Sequence, residues 1–286
     1  MKKSSTTYWL LFLITFACLN CSKEHPASDN EKDFNGCLGY AAGYKNSGTV
    51  GSPGTFTFKE AQNNKFLAQE VSIQRNFWNQ VPATVSLLFE PSDAYRNAYA
   101  LANGNIYFGY YLFYYMVNRF SVISPNEVSP LPVDGVLAHE WGHEVQFRLG
   151  WANYANNTER ELEADFFSGY YMGLEKQWYW KQIQTYYTAI YSSGDYAFSS
   201  PNHHGTPGQR LNAAYTGLTT AVYEINNNVH YSYNQLHDIF RKNLEYIYKH
   251  TYNTTSLARD DNGGFKEVRY SRPVTRELID RLKPTL

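Results

Sequence analysis

The sequence is short of cysteine. Only three occur in 286 residues: Cys18, Cys21 and Cys37. The first two fall in the N-terminal segment, which leaves Cys37 alone in the body of the chain. One cysteine excludes an intramolecular disulfide and a cysteine-ligated metal site there, so the fold must be stabilised by its core. A surplus of charge is lacking too. Lys and Arg number 25 against 26 Asp and Glu, a formal net charge of -1, and nothing basic is left over to attract a nucleic acid. Past the N-terminus no apolar run is long enough to span a membrane. The closest, "IYFGYYLFYYMV" (106–117), has a length that suits a buried helix. No internal repeat is visible. Tyrosine is abundant, at 26 residues set among many asparagines. It joins apolar bulk to a polar tip, which suits a half-wet core, a cleft lining or a glycan-facing surface.

The N-terminus carries a pattern of its own. Lys2 and Lys3 precede the apolar run "YWLLFLITFA", and "CLNCSKE" follows. A basic start and a short apolar core read as an export signal over residues 1–20. A cysteine closing such a core resembles the lipidation site of a bacterial lipoprotein. Cys21, which opens the polar segment, is the expected site; Cys18, preceded by Ala17, is the alternative, and plain cleavage without a lipid is a third reading. The expectation is an exported protein, lipid-anchored in the bacterial cell envelope. The organisation that follows is a polar tether and loop over 21–54, a folded domain over 55–250 and a C-terminal tail over 251–286.

Within the domain, apolar residues at helical spacing predict a helix over 59–80. "ATVSLLFE" (83–90) reads as a strand. "NAYALANGNIYFG" (97–109) reads as a hairpin turning at Asn103-Gly104, a favoured two-residue turn. A helix is expected over about 110–120 and a proline-rich loop over 124–134. Helices are predicted over about 135–149, from near Thr158, and over about 176–192, 207–225 and 233–250. One helix, a few strands and then mostly helices give a single α+β domain with a small antiparallel sheet or hairpin.

The segment "VLAHEWGHEVQ" (136–146) holds the chemistry. Residues four apart on a helix lie about 40° apart on one face, so His139 and His143 can point two imidazoles at one ion. Glu140 sits on the same side, able to reach a water on that ion without being aimed at the ion. Two ligands and a proton-accepting carboxylate are what a zinc hydrolase needs. The flanks Val136, Leu137, Ala138 and Trp141 are uncharged, as a buried helix requires. Gly142 costs about 1 kcal/mol relative to alanine in a helix, and close approach of another element explains it better than chance. Glu144 is charged where such helices are usually not; it should lie on a more open side or have a partner.

Catalytic zinc takes three protein ligands and one open position. In "ERELEADFFSG" (159–169), Glu161 and Asp165 share a face, so Glu161 can ligate while Asp165 hydrogen-bonds a ligand histidine. Thr158 to Glu161 also fits a capping box, which would occupy Glu161; a helix start near Asn156 would free it. Glu163, about 200° around the helix from Glu161, is the alternative ligand.

"HEWGH", then "ELEADFFSG", then "HHGTPGQRLNAAYTG" (203–217) resemble the bacterial neutral zinc metallopeptidases. More distantly they resemble membrane peptidases of the prenyl-protein and heat-shock type. The likeness spans roughly residues 60–220. It implies a zincin-like, gluzincin-type domain in which Glu161 is the third zinc ligand and Asp165 supports the site. It also implies that the hairpin lies beside the zinc, and that His204 and Arg210 belong to a third site element. Glu144 and Pro207 depart from the pattern; Pro207 suits the first turn of a helix. His204, or His203 beside it, is a candidate to stabilise the oxyanion. Arg210 is expected to anchor its loop or pair with a site carboxylate. His230, His237 and His250 have no partners at ligand spacing and are expected to be solvated or structural.

The expected function is zinc-dependent hydrolysis of a peptide or protein substrate, with Glu140 as general base and the hairpin around Leu101 and Ile106 offering an edge to extended substrate. The alternatives are a non-catalytic surface lipoprotein that binds a glycan or protein partner, and an enzyme acting on a non-peptide amide.

Overall fold

The apolar stripe predicted over 59–80 forms a helix, α1 (Ala61–Phe77), that buries Leu67 and Val71. The chain is described here by a computed structural model over residues 49–50, 56–89, 97–151, 156–176, 180–194 and 203–249. Cys18, Cys21, Cys37, His250, the export signal and the tail over 251–286 lie outside the described residues.

Four strands make the main sheet: β1 (Thr49–Val50), β2 (Thr84–Phe89), β3 (Ala98–Leu101) and β4 (Asn105–Gly109). Their order is β1-β2-β4-β3. β2 and β4 run parallel, and both outer pairings are antiparallel. Thr49 and Val50 thus pair with Phe89 and Leu88 inside a stretch that its Gly, Ser and Pro content marks as loop. The hairpin exists, but Leu101 pairs with Asn105, so its turn has three residues, with Gly104 at φ +84°. A three-residue hairpin places its left-handed residue at that position, which glycine adopts without steric cost. β3 is the outer strand, while Ile106 on β4 is fully buried between β2 and β3. Of the two hairpin strands, only β3 lies at an edge of the sheet.

α2 (Tyr110–Met116) follows and passes into a π-helical turn (Val117–Ser121). A short hairpin, β5 (Val122–Ser124) and β6 (Glu127–Val128), occupies the segment expected to be loop. The next helix, α3 (Leu131–Leu149), starts four residues before the expected Gly135. Pro132 permits this, because the first turn of a helix needs no N–H from it. Then come α4 (Asn157–Glu175), α5 (Trp180–Ser192), α6 (Pro207–Asn227) and α7 (Tyr233–Lys249). The protein is α+β and mostly helical, with a small sheet. None of the described helices is long and apolar enough to cross a membrane.

α3 is the central element. Every residue from Leu131 to Gln146 is buried, a pattern reserved for helices enclosed on all sides. It packs on α4, on α5 and on β3, and Trp141 Nε1 donates to the Val81 carbonyl at 3.0 Å. A buried polar knot fixes its first turn. Lys176, at the end of α4, pairs with Glu70 of α1 and with Asp134 Oδ2 at 3.0 Å. Tyr171 Oη donates to Glu70 at 2.7 Å, and Gln74 donates to the Asp134 carbonyl at 2.9 Å. Burial, with the Glu70 charge beside it, pushes the Asp134 carboxyl up to about 8 against the pull of Lys176.

Candidate metal centre

Gly142 sets the α3–α4 crossing. A Cβ there would stand 2.9 Å from Ala164 Cα and 3.1 Å from its carbonyl oxygen, so the two backbones touch. That contact lies between His139 and His143 on one helix and between Glu161 and Asp165 on the other, and it brings all four side chains together. α4 starts early enough to release Glu161. Asn156 is the cap, its side chain accepting from the Glu159 N–H at 2.7 Å. Thr158 Oγ1 instead donates to the His203 carbonyl at 3.0 Å.

The donors converge. His139 Nε2 and His143 Nε2 are 3.1 Å apart. Glu161 Oε2 lies 3.4 Å from His139 Nε2, and Oε1 lies 3.5 Å from His143 Nε2. All three residues are buried, and they form the only group of three or more metal-ligating side chains found among the described residues. This group can hold a metal ion.

Hydrogen-bond roles show which atoms are available. His139 Nδ1 is 2.9 Å from Asp165 Oδ1. Arg210 grips the same carboxylate, Nε to Oδ2 at 2.7 Å and Nη2 to Oδ1 at 2.9 Å. Burial raises the Asp165 pKa, but Arg210 and His139 outweigh it and hold the group below its ordinary value. An ionised carboxylate only accepts, so His139 Nδ1 carries the hydrogen and Nε2 carries the lone pair. His143 Nδ1 is 2.9 Å from Gln146 Oε1. Gln146 Nε2 donates to the Arg160 carbonyl at 2.8 Å, which fixes the amide's orientation and makes Oε1 the acceptor. His143 therefore also presents a lone pair at Nε2. Burial, aided by His139, lowers its pKa to about 4 against the pull of Glu161, so the ring is neutral at neutral pH. Burial raises the Glu161 pKa, but His143, His139 and His204 outweigh it and keep the carboxylate ionised. Neither Glu161 oxygen takes a hydrogen bond among the described residues. Two nitrogen lone pairs and a carboxylate thus face one another in a buried space, an arrangement that repels itself unless a cation joins it. Two imidazoles and a carboxylate are the donor set of many catalytic zinc sites.

No protein-family model, curated protein or solved structure matches the chain.

The surrounding residues fall into place around this centre. Glu140 is fully buried, one step along α3 from His139. Glu144 is 3% exposed, so it is not on an open side. It has a partner, the Leu101 backbone N–H of β3, yet burial and the nearby Glu140 push its carboxyl up to about 8. His204 is buried and close enough to Glu161 for its charge to act there. His203 is half-buried and held through its carbonyl. Pro207 sits in the first turn of α6, behind a capping box made by Thr206 and Gln209. α6 delivers Arg210, whose Nη1 also donates to the Ser193 carbonyl at 3.1 Å. A narrow apolar recess beside His139 is lined by Leu112, Met116, Val136 and Ile190.

Glu163 is not part of the donor group; it bonds Gln146 at 3.0 Å and His237 at 2.5 Å. Gln146 is the residue that sequence reasoning missed. Its signal was present: an amide three residues after His143, flanked by Val145 and Phe147 on a helix otherwise apolar there. His237 has a buried partner that its spacing did not suggest.

Proposed function

We propose that the chain is a zinc-dependent peptidase of zincin-like build, with His139, His143 and Glu161 holding the metal. The observation that supports this is the convergence of two lone-pair nitrogens, each histidine being held through its opposite ring nitrogen, with an ionised carboxylate 3.4 and 3.5 Å from them. Bound zinc would supply a Lewis acid that polarises a carbonyl and lowers the pKa of a water toward neutrality. Glu140 would accept the proton of the attacking water and return it to the leaving amine nitrogen. His204 donates to the oxygen on which negative charge develops. Asp165, locked by Arg210, keeps the His139 ring from turning. The outer edge of β3 hydrogen-bonds an extended substrate backbone. The N-terminal sequence adds export and a lipid on Cys21, which would place this activity in the bacterial cell envelope.

Glu140→Gln keeps the size of the side chain and removes the base. Zinc content should stay at that of the wild type while cleavage of a mixed peptide library falls by roughly 10² to 10⁴-fold. A wild-type protein that holds zinc and cleaves nothing, or a Glu140→Gln variant as active as wild type, would overturn the peptidase reading in favour of a binding protein.

A further inference from the structure

The hydrogen bond that orients His143 does not end at Gln146. Gln146 Nε2 has two acceptors, the Arg160 carbonyl at 2.8 Å and Glu163 Oε2 at 3.0 Å. The other Glu163 oxygen, Oε1, lies 2.5 Å from His237 Nδ1 on α7. The His237 ring stacks on Trp151, with centroids 4.1 Å apart and planes 20° apart. Trp151 is in turn placed by the end of α3. Gly150 takes the left-handed conformation at φ +77°, and Trp151 N–H bonds back to the Gln146 carbonyl at 2.8 Å, the closing bond of a Schellman motif. The path leaves α3 at the Gln146 side chain, crosses α4 and α7, and returns to α3 at the Gln146 backbone.

Each link in this ring has a fixed direction. Glu163 and the Arg160 carbonyl only accept, so the Gln146 amide cannot flip without placing its oxygen against two acceptors. With Oε1 committed to His143 Nδ1–H, the ring must offer Nε2 to the donor group. Gln146 and Glu163 are fully buried, and the His237 side chain is 20% exposed, so water cannot readily replace the inner bonds.

We propose that His237 is a positioning residue for the metal centre: acting through Glu163 and Gln146, it holds His143 in the orientation and tautomer that present Nε2 to the ion. This rests on the metal-binding reading above. It makes α7, the last helix described, part of the machinery that shapes a ligand on α3.

The experiment is a zinc titration of the full purified chain against a competing chromophoric chelator. Outer partners of metal-binding histidines typically contribute roughly 10 to 100-fold in affinity. His237→Phe keeps a ring to stack on Trp151 but removes the donor, and zinc affinity should fall by that amount. His237→Asn places an amide nitrogen near the position of Nδ1 and should restore most of it. His230→Ala, at a histidine that bonds Glu224 instead, should leave affinity unchanged. Thermal unfolding of the metal-free proteins, matched between His237→Phe and His237→Asn, separates positioning from a general loss of fold. Wild-type affinity in His237→Phe, or equal losses in His237→Phe and His237→Asn, would overturn the proposal while leaving the metal site standing. A wild-type chain that takes up no zinc would overturn both.

Discussion

Asp165 Oδ1 stands 2.9 Å from His139 Nδ1 across the α3–α4 crossing, while Arg210 reaches the same carboxylate from α6 with Nε at 2.7 Å. One buried carboxylate therefore links three helices to a single imidazole. Asp165→Asn keeps the shape but allows the amide to present a donor to His139. Zinc affinity should fall by roughly 10 to 100-fold, measured by chelator competition. Arg210→Met leaves the Asp165 charge buried without its cationic partner. It should cost about 3–5 kcal/mol of stability in urea unfolding. Equal and small effects of the two changes would mean that the carboxylate does not couple the helices.

Gly142 tests the crossing itself. Alanine is the better helix former by about 1 kcal/mol, so on an unobstructed helix Gly142→Ala would stabilise. Here the new Cβ meets Ala164 Cα at 2.9 Å and its carbonyl oxygen at 3.1 Å. The variant should instead lose about 1–3 kcal/mol by overpacking and bind zinc more weakly, because the Glu161 carboxylate moves away with α4. A gain in melting temperature would show that the helices can separate at no cost.

Most helices, the hairpin and the His139–His143 pair were legible in the sequence because each is a local pattern. Spacing four apart places His139 beside His143, and the helix expected from near Thr158 starts at Asn157, capped by Asn156. What was not legible is what the chain pairs across distance. Gln146 meets Glu163 seventeen positions on, His237 meets Glu163 seventy-four positions back, and Glu144 meets the Leu101 backbone. No periodicity encodes such partners. Pro132 concealed the first turn of α3 for a different reason: it reads as a breaker in sequence but is tolerated at a helix start.

Asp134 gives a pH dependence with a definite sign. In the unfolded chain its carboxyl titrates near its ordinary 3.8, whereas the folded value is pushed up to about 8. Between the two, the folded state keeps a proton that the unfolded state has released. Stability from this residue is therefore present at low pH and lost as pH rises through that window. Asp134→Asn removes the titration. Unfolding of the metal-free protein in urea should show a decline between pH 4 and pH 8 that is smaller by about 1 kcal/mol or more. An unchanged slope would place the pH sensitivity elsewhere, with Glu144 the next group to test.

The proposed membrane attachment is a separate matter from the proposed catalysis and has its own assay. Cells fed a fatty-acid analogue should label the wild type and the Cys18→Ser variant but not Cys21→Ser. Loss of label only in Cys18→Ser would move the mature start to Cys18. No label in any of the three would make the protein freely secreted.

The glycines of α4 and α6 carry a consequence for how the centre is loaded. A Cβ on Gly169 would fall 1.9 Å from the Ala214 carbonyl oxygen, and one on Gly217 would fall 1.8 Å from that of Phe166. The two helices meet backbone to backbone, with no side-chain layer between them to yield. Glu161 and Asp165 on one helix and Arg210 on the other are then set by main-chain contact before any ion arrives. Loading such a centre requires little further ordering of the chain. Affinity for an ion would be drawn from bringing mutually repelling donors under a cation, so stripping a bound ion should leave the folded cast intact and ready to refill.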